Sequence, residues 1–184
     1  MYTFEVTEII RQPNNNITIL FKDLTGNFPR YKAGQFLTLC FRFAEREVRR
    51  SYSFSSSPDV DEAYAITVKR VDNGEISRLL HHEIAVGEHI EVMEPQGLFF
   101  YEPDGQTPRT LFLFAAGVGI TPLYAILKTA LTRDTLTKVV LVYSNGSAEK
   151  TVFYEELLAW QARFPDRLHI EWIFSSAKNL LKAR

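Results

Sequence analysis

Cysteine occurs once in the 184 residues, as Cys40. A single thiol cannot close a disulfide within the chain, and it fits a reducing compartment such as the cytoplasm. It also excludes an iron–sulfur cluster held by this chain's cysteines alone. Cys40 lies in an apolar, strand-like run, which suits a buried, inert thiol. Long apolar runs are missing too, so no membrane-spanning helix is expected. The start, Met1-Tyr2-Thr3-Phe4-Glu5, has neither the basic residues nor the apolar stretch of a signal peptide. No charge dominates: 21 Lys and Arg face 22 Asp and Glu, for a net charge of −1. That balance gives no electrostatic reason to bind nucleic acid or a membrane surface. Histidine is scarce and badly spaced for a metal. His81 and His82 are adjacent and diverge on a helix, and His89 and His169 have no partners at ligand spacing, so no metal site is expected. The absence of a G-x-S-x-G elbow argues against a hydrolase.

What is present is ordinary globular material, 46% hydrophobic and 23% charged, enough for one large domain or two small ones. The 14 Phe, 8 Tyr and 2 Trp serve core packing, and flat rings also suit a flat cofactor. The two parts of the chain differ in period. Up to about residue 103, short alternating segments are separated by turns. Strands are expected around Phe4–Ile9, Ile17–Phe21, Phe36–Phe41, Arg50–Phe54, Ala65–Lys69 and His89–Met93, with one helix from after Gly74 to His82. That spacing predicts an antiparallel barrel or sandwich. After Pro108 the rhythm becomes βαβαβ. Thr110–Ala116, Val139–Tyr143 and Leu168–Phe174 read as strands, the first as one buried on both faces. Helices are expected through Leu123–Leu131 and through Phe153–Trp160. This order argues for a parallel sheet with crossover helices. The boundary falls in Glu102–Pro108, giving domains 1–105 and 106–184.

Three motifs carry chemistry. Arg50-Ser51-Tyr52-Ser53 lies on a predicted strand, with Arg50 and Tyr52 on one face and Ser51 and Ser53 on the other. An arginine can fork onto a pyrophosphate, a tyrosine can lie on a ring system, and a serine can hydrogen-bond a ring nitrogen. The bland alternative is an exposed strand. Val68-Lys69 is followed by Gly74-Glu75-Ile76-Ser77 at a helix start, where unpaired N–H groups attract anions. The alternative is a plain turn and cap. Gly117-Val118-Gly119-Ile120-Thr121-Pro122 joins a buried strand to a helix. Glycines there admit a ligand to the backbone, and Pro122 suits the first helical turn. It is neither the G-x-G-x-x-G fingerprint nor a Walker A loop.

In this order and on these elements, the three motifs resemble those of the ferredoxin–NADP⁺ reductase superfamily. Ala33-Gly34-Gln35-Phe36, Pro95-Gln96-Gly97-Leu98-Phe99, Tyr143-Ser144-Asn145, Phe153 and Glu156-Leu157 extend the likeness across the chain. Val92–Gly97 and Ile173-Phe174-Ser175 resemble reductase components of bacterial oxygenases, especially the phenylacetyl-CoA epoxidase reductase type. The resemblance implies an N-terminal antiparallel Greek-key β-barrel for FAD, followed by an incomplete α/β parallel-sheet domain for NAD(P)H. It implies hydride transfer from NAD(P)H to FAD, then single electrons to an iron–sulfur protein or oxygenase component. Arg50 is assigned to the FAD pyrophosphate, Tyr52 to the flavin or ribityl face and Ser53 to the reactive edge. Gly74, Ile76 and Ser77 are assigned to hold the FAD pyrophosphate by backbone and hydroxyl, with Val68 and Lys69 also cofactor-binding, and Gly117, Gly119, Thr121 and Pro122 shape the NAD(P)H site.

The sequence departs from the family pattern in places. Ala33 replaces a usual proline, and Gly146 a usual arginine. Ser175-Ser176 offers hydroxyls without charge, which leans the expectation toward NADH, while Lys178 is near enough to act as a point charge. The chain stops at Leu180–Arg184 in mid-pattern, before the family's Cys-Gly motif, so a truncated nucleotide domain is expected. The alternative is a non-catalytic flavin-binding electron-transfer subunit, or a module needing another chain.

Overall fold

The computed structural model describes residues 1–176. Lys178 and Leu180–Arg184 lie outside the described residues. Six strands form the first sheet: β1 (Tyr2–Gln12), β2 (Asn16–Asp23), β3 (Phe36–Phe43), β4 (Arg46–Ser53), β5 (Tyr64–Lys69) and β6 (His89–Val92). Their order is β4-β3-β6-β1-β2-β5, with antiparallel pairing throughout. β6 slots between β3 and β1, the long-range return that makes a Greek key. An antiparallel bridge from Phe54 to Ile66 brings the two edges together and closes the barrel.

Alternation explains why these segments are strands. Ile17, Ile19 and Phe21 of β2, Leu37 and Leu39 of β3, and Ile66 and Val68 of β5 all point into one core with Phe4 and Val6. Helix α1 (Glu75–His82) adds Ile76 and Leu80 to the same core. The Asn14-Asn15 turn between β1 and β2 takes left-handed backbone at both asparagines (φ 58° and 56°), a conformation asparagine tolerates better than most residues.

The second sheet is parallel, β7 (Arg109–Ala116), β8 (Thr137–Asn145) and β9 (Leu168–Phe174), in that order. Helices α2 (Ile120–Arg133) and α3 (Tyr154–Arg163) make the crossovers. α2 buries Leu123, Ile126, Leu127, Ala130 and Leu131 against Leu113, Leu141 and Tyr143. α3 adds Leu157 to that cluster. Both helices therefore cover the same side of the sheet.

That arrangement corrects the expectation that the first parallel strand is buried on both faces. Leu111, Leu113 and Ala115 pack toward the helices. Phe112 and Phe114 point the other way and are 63% and 70% exposed. β7 is an edge strand with both crossovers on one side, and no described element covers its other face. A second correction concerns Phe153. It precedes α3 rather than belonging to it, with left-handed backbone at φ 60°. Its ring stacks on Tyr124 of α2, centroids 4.4 Å apart.

The halves meet at the turn before β3. Gly34 has φ 105°, and a Cβ there would sit 2.6 Å from the Phe99 carbonyl and 3.0 Å from Ile126 Cδ1. Only glycine satisfies both the backbone and the space. Ala33 beside it is buried in the nucleotide-side core.

Candidate cofactor site

β3 and β4 pair in a register that sets Leu39 opposite Arg50, Thr38 opposite Ser51 and Leu37 opposite Tyr52. Ser51 shares a hydrogen bond with Thr38, Oγ to Oγ1 at 2.9 Å, on the face away from Arg50 and Tyr52. Arg50 is exposed. Its guanidinium donates to the Arg49 carbonyl at 2.7 Å and has no ion-pair partner among the described residues. Tyr52 is half-buried against the barrel core. Burial raises its hydroxyl pKa, and the Arg50 charge pulls it the other way. The strand thus presents a cation, an aromatic ring and the Ser53 hydroxyl within four residues.

The Gly74–Ser77 turn starts α1. The amides of Glu75, Ile76 and Ser77 have no acceptor inside the helix and none among the other described backbone bonds. The Ser77 hydroxyl is used differently from its expected contact with an incoming phosphate. It accepts from the Val71 amide at 3.1 Å and faces the Gly74 carbonyl at 3.1 Å, closing the turn on itself. A Cβ at Gly74 would come 2.5 Å from that oxygen, so glycine keeps the turn tight. Ile76 is buried in the barrel, leaving only its backbone for a ligand. Val68 is buried and Lys69 exposed at the end of β5. The His81 ring donates to the Val68 carbonyl at 3.1 Å, which ties α1 to β5. An Arg46–Glu75 ion pair joins the arginine strand to the helix start, so the first two motifs are neighbours.

In the third motif, Gly117–Gly119 forms a 3₁₀ turn into α2. Gly117 has φ 50°, and nothing lies within 4 Å of a Cβ built at Gly117 or Gly119. Open space beside two glycines at a helix start is what close approach of a phosphate requires. The turn is braced from behind. Tyr143 Oη donates to the Gly117 carbonyl at 2.9 Å, and Thr121 Oγ1 donates to Val118 O at 3.2 Å. The Thr121 hydroxyl is thereby spent on the turn. Pro122 occupies the first turn of α2. β5, whose end carries Val68 and Lys69, lies against the Gly117–Gly119 turn, so one barrel strand touches both the second motif and the third. Ser175 and Ser176 donate their amides to the Asn145 and Gly146 carbonyls, both at 3.0 Å, extending the β8–β9 pairing.

Sequence reasoning passed over a polar seam between the halves. Ser55, Ser56 and Ser57 are all buried, and Lys128 on α2 is 4% exposed. A lysine inside an otherwise apolar helical stripe, four residues after Tyr124, was the signal available. A cavity of about 550 Å³ opens beside this seam rather than at the motifs, lined by Leu20, Ser55, Asp61, Tyr124, Lys128 and Phe153. Among the described residues, no group of three or more His, Cys, Asp or Glu could hold a metal. No described helix is long and apolar enough to cross a membrane.

Residues 10–101 match the oxidoreductase FAD-binding domain family, and residues 113–179 match the oxidoreductase NAD-binding domain family. The chain is 39% identical over 179 residues to the ferredoxin reductase component of 3-ketosteroid-9-alpha-monooxygenase from Rhodococcus rhodochrous, covering 92% of this chain and 48% of that protein. It is 36% identical over 146 residues to a subunit of 1,2-phenylacetyl-CoA epoxidase from Escherichia coli, covering 79% and 41%. Its fold matches the FAD/NAD-binding domain of nitric oxide dioxygenase from Vibrio cholerae with a TM-score of 0.81 at 27% identity, covering 95% and 74%. The chain spans about half the length of the curated relatives it matches.

Proposed function

Because this chain belongs to the FAD-binding and NAD-binding oxidoreductases of the ferredoxin reductase family, we propose that it takes electrons from NAD(P)H onto FAD and passes them singly to an iron–sulfur protein or an oxygenase component. The FAD-binding half runs to about residue 105 and the nucleotide-binding half follows. The observation that carries this reading is the linkage of the three motifs, the first to the second by the Arg46–Glu75 pair and the barrel to the third by the packing of β5 on the glycine turn. The groups present suit a dinucleotide flavin. Arg50 is a cation with no ion-pair partner among the described residues, the α1 start has free amides, and the Gly117–Gly119 backbone is open.

FAD supplies the step from two-electron to one-electron chemistry. The protein's part is placement. Arg50 forks onto the pyrophosphate, with the Glu75, Ile76 and Ser77 amides completing the anion cradle. The ring of Tyr52 backs the flavin or ribityl face, and Ser53 hydrogen-bonds its reactive edge. Gly74 and Ser77 shape the turn, and Val68 and Lys69 flank it. Gly117 and Gly119 let the nucleotide approach the α2 start, which Thr121 and Pro122 hold in shape. The alternative, a flavin carrier without its own reductase activity, predicts FAD binding with no reduction by NAD(P)H.

The test is direct. The purified chain is expected to quench FAD fluorescence at micromolar concentration and to turn yellow. Arg50→Ala weakens FAD binding by about 1.5–3 kcal/mol, the cost of a lost charged hydrogen bond. FAD affinity unaltered in Arg50→Ala, or no FAD binding by the parent chain, refutes the site. FAD binding without reduction by NADH or NADPH selects the alternative.

A further inference from the structure

The polar seam joins the two elements that would carry the two cofactors. The loop Ser55–Asp61 leaves the end of β4 directly after Ser53 and Phe54. α2 begins at the glycine turn. Lys128 of α2 forms an ion pair with Asp61, and one residue on, Thr129 Oγ1 lies 2.7 Å from Ser57 Oγ. Both hydroxyls are buried. One turn beyond, Arg133 Nε is 3.6 Å from Asp59 Oδ1, which Arg30 also holds at 2.7 Å. The loop is tied to itself as well: the Ser57 amide donates to Asp61 Oδ2 at 2.6 Å, and the Asp59 amide to Ser57 Oγ at 3.2 Å. Lys128 Nζ also sits 4.4 Å from the centroid of the Tyr124 ring.

From this we infer that Lys128, Asp61, Ser57 and Thr129 form a clamp that sets the distance between the flavin strand and the nucleotide turn, so that Lys128 is a positioning residue for electron transfer from NAD(P)H. The inference rests on the proposed function. The ion pair buries the lysine while the Asp61 side chain stays 34% exposed, so it is a poor source of net stability: the desolvation of Lys128 offsets much of an attraction that solvent also screens. Burial indeed lowers the Lys128 pKa, with Asp61 pulling it back. A directional pair with a parallel hydroxyl bond is better suited to defining one arrangement of two halves. Placement matters because an error of about 1 Å between reacting groups costs on the order of 10²-fold in rate.

The experiment uses the whole chain loaded with FAD, as the parent and as Lys128→Met, Lys128→Arg and Thr129→Val. Thr129→Val keeps the volume and strands no buried charge, so it decides the matter should Lys128→Met fail to fold. FAD affinity is measured by fluorescence, and the limiting rate of flavin reduction is separated from the apparent NADH affinity by stopped flow. Spin labels at Glu45→Cys and Lys138→Cys, in a Cys40→Ser background, report the distance between the halves. FAD affinity stays within about threefold while the limiting rate falls about tenfold or more in Lys128→Met and Thr129→Val, and Lys128→Arg restores most of it. The interspin distribution broadens in the same variants. Unchanged limiting rates and an unchanged distribution in folded variants overturn the clamp. If the parent binds FAD but NADH does not reduce it, the proposed activity fails, and the distance distribution alone still decides for or against the clamp.

Discussion

At the scale of single residues, the two glycines of the nucleotide turn separate conformation from contact. Gly117 has φ 50° and resists any side chain on backbone grounds. Gly119 is different: its backbone is helical at φ −61°, and a Cβ there meets nothing within 4 Å. Gly119→Ala therefore leaves stability within about 0.5 kcal/mol of the parent or slightly higher. A ligand lying against that backbone meets the new methyl. The expected result is an unchanged melting temperature and FAD affinity with NADH binding weakened about tenfold, in line with a misfit costing about 1.4 kcal/mol. Titration of the variant with NADH checks this, and equal NADH affinity removes Gly119 from the site. Residue types announced the turn, but which glycine is there for φ and which for space came only from the backbone.

At the scale of elements, α1 is held to the barrel at its end and left open at its start. Its first turn leaves the Glu75, Ile76 and Ser77 amides without a described backbone acceptor, and its last turn is tied to β5 by His81 and the Val68 carbonyl. Burial lowers the His81 pKa below its usual 6.5, against the smaller raising effect of that hydrogen bond. The sign follows. The unfolded chain takes up a proton near pH 6.5 that the folded chain resists, so the contribution of neutral His81 is present above that pH. It is lost as pH falls through the lower folded value. His81→Gln keeps a donor for Val68 but cannot titrate. Its melting temperature therefore changes less than the parent's between about pH 7 and 5. Melting curves at stepped pH decide it, and parallel profiles for the two proteins reject the assignment. The sequence placed α1 and its ends well, because Gly74 and the Ile76–Leu80 spacing are local signals. It did not foresee the bonds of the Ser77 hydroxyl within the turn, since the partner, Val71, is offered by the fold of the preceding loop.

Across the whole molecule, the parallel sheet presents one face to its helices, and no described element covers the other. Phe112 and Phe114 stand 63% and 70% exposed there on β7, whose outer edge no described strand pairs, and Ile173 of β9 is 46% exposed. Exposed apolar surface next to an open strand edge favours association. Sedimentation of this chain is expected to show concentration-dependent self-association, reduced in Phe112→Ser/Phe114→Thr. Little stability is lost in that variant, because neither ring is buried. A parent chain that stays monomeric at all concentrations, or a variant that associates equally, rules out this face.

The order of local periods determined most of the architecture. Alternating residues in the first half and continuous apolar runs in the second specify strand and helix through nearest-neighbour geometry, and motif spacing carried the family. Only the tertiary structure decided which faces are covered, because burial depends on where both crossovers pass rather than on the strand's own residues. It also decided the polar seam. Ser57 and Thr129 are 72 positions apart in the chain, and Asp61 and Lys128 are 67. No local pattern reports such pairs, because their attraction exists only once the barrel and α2 have packed.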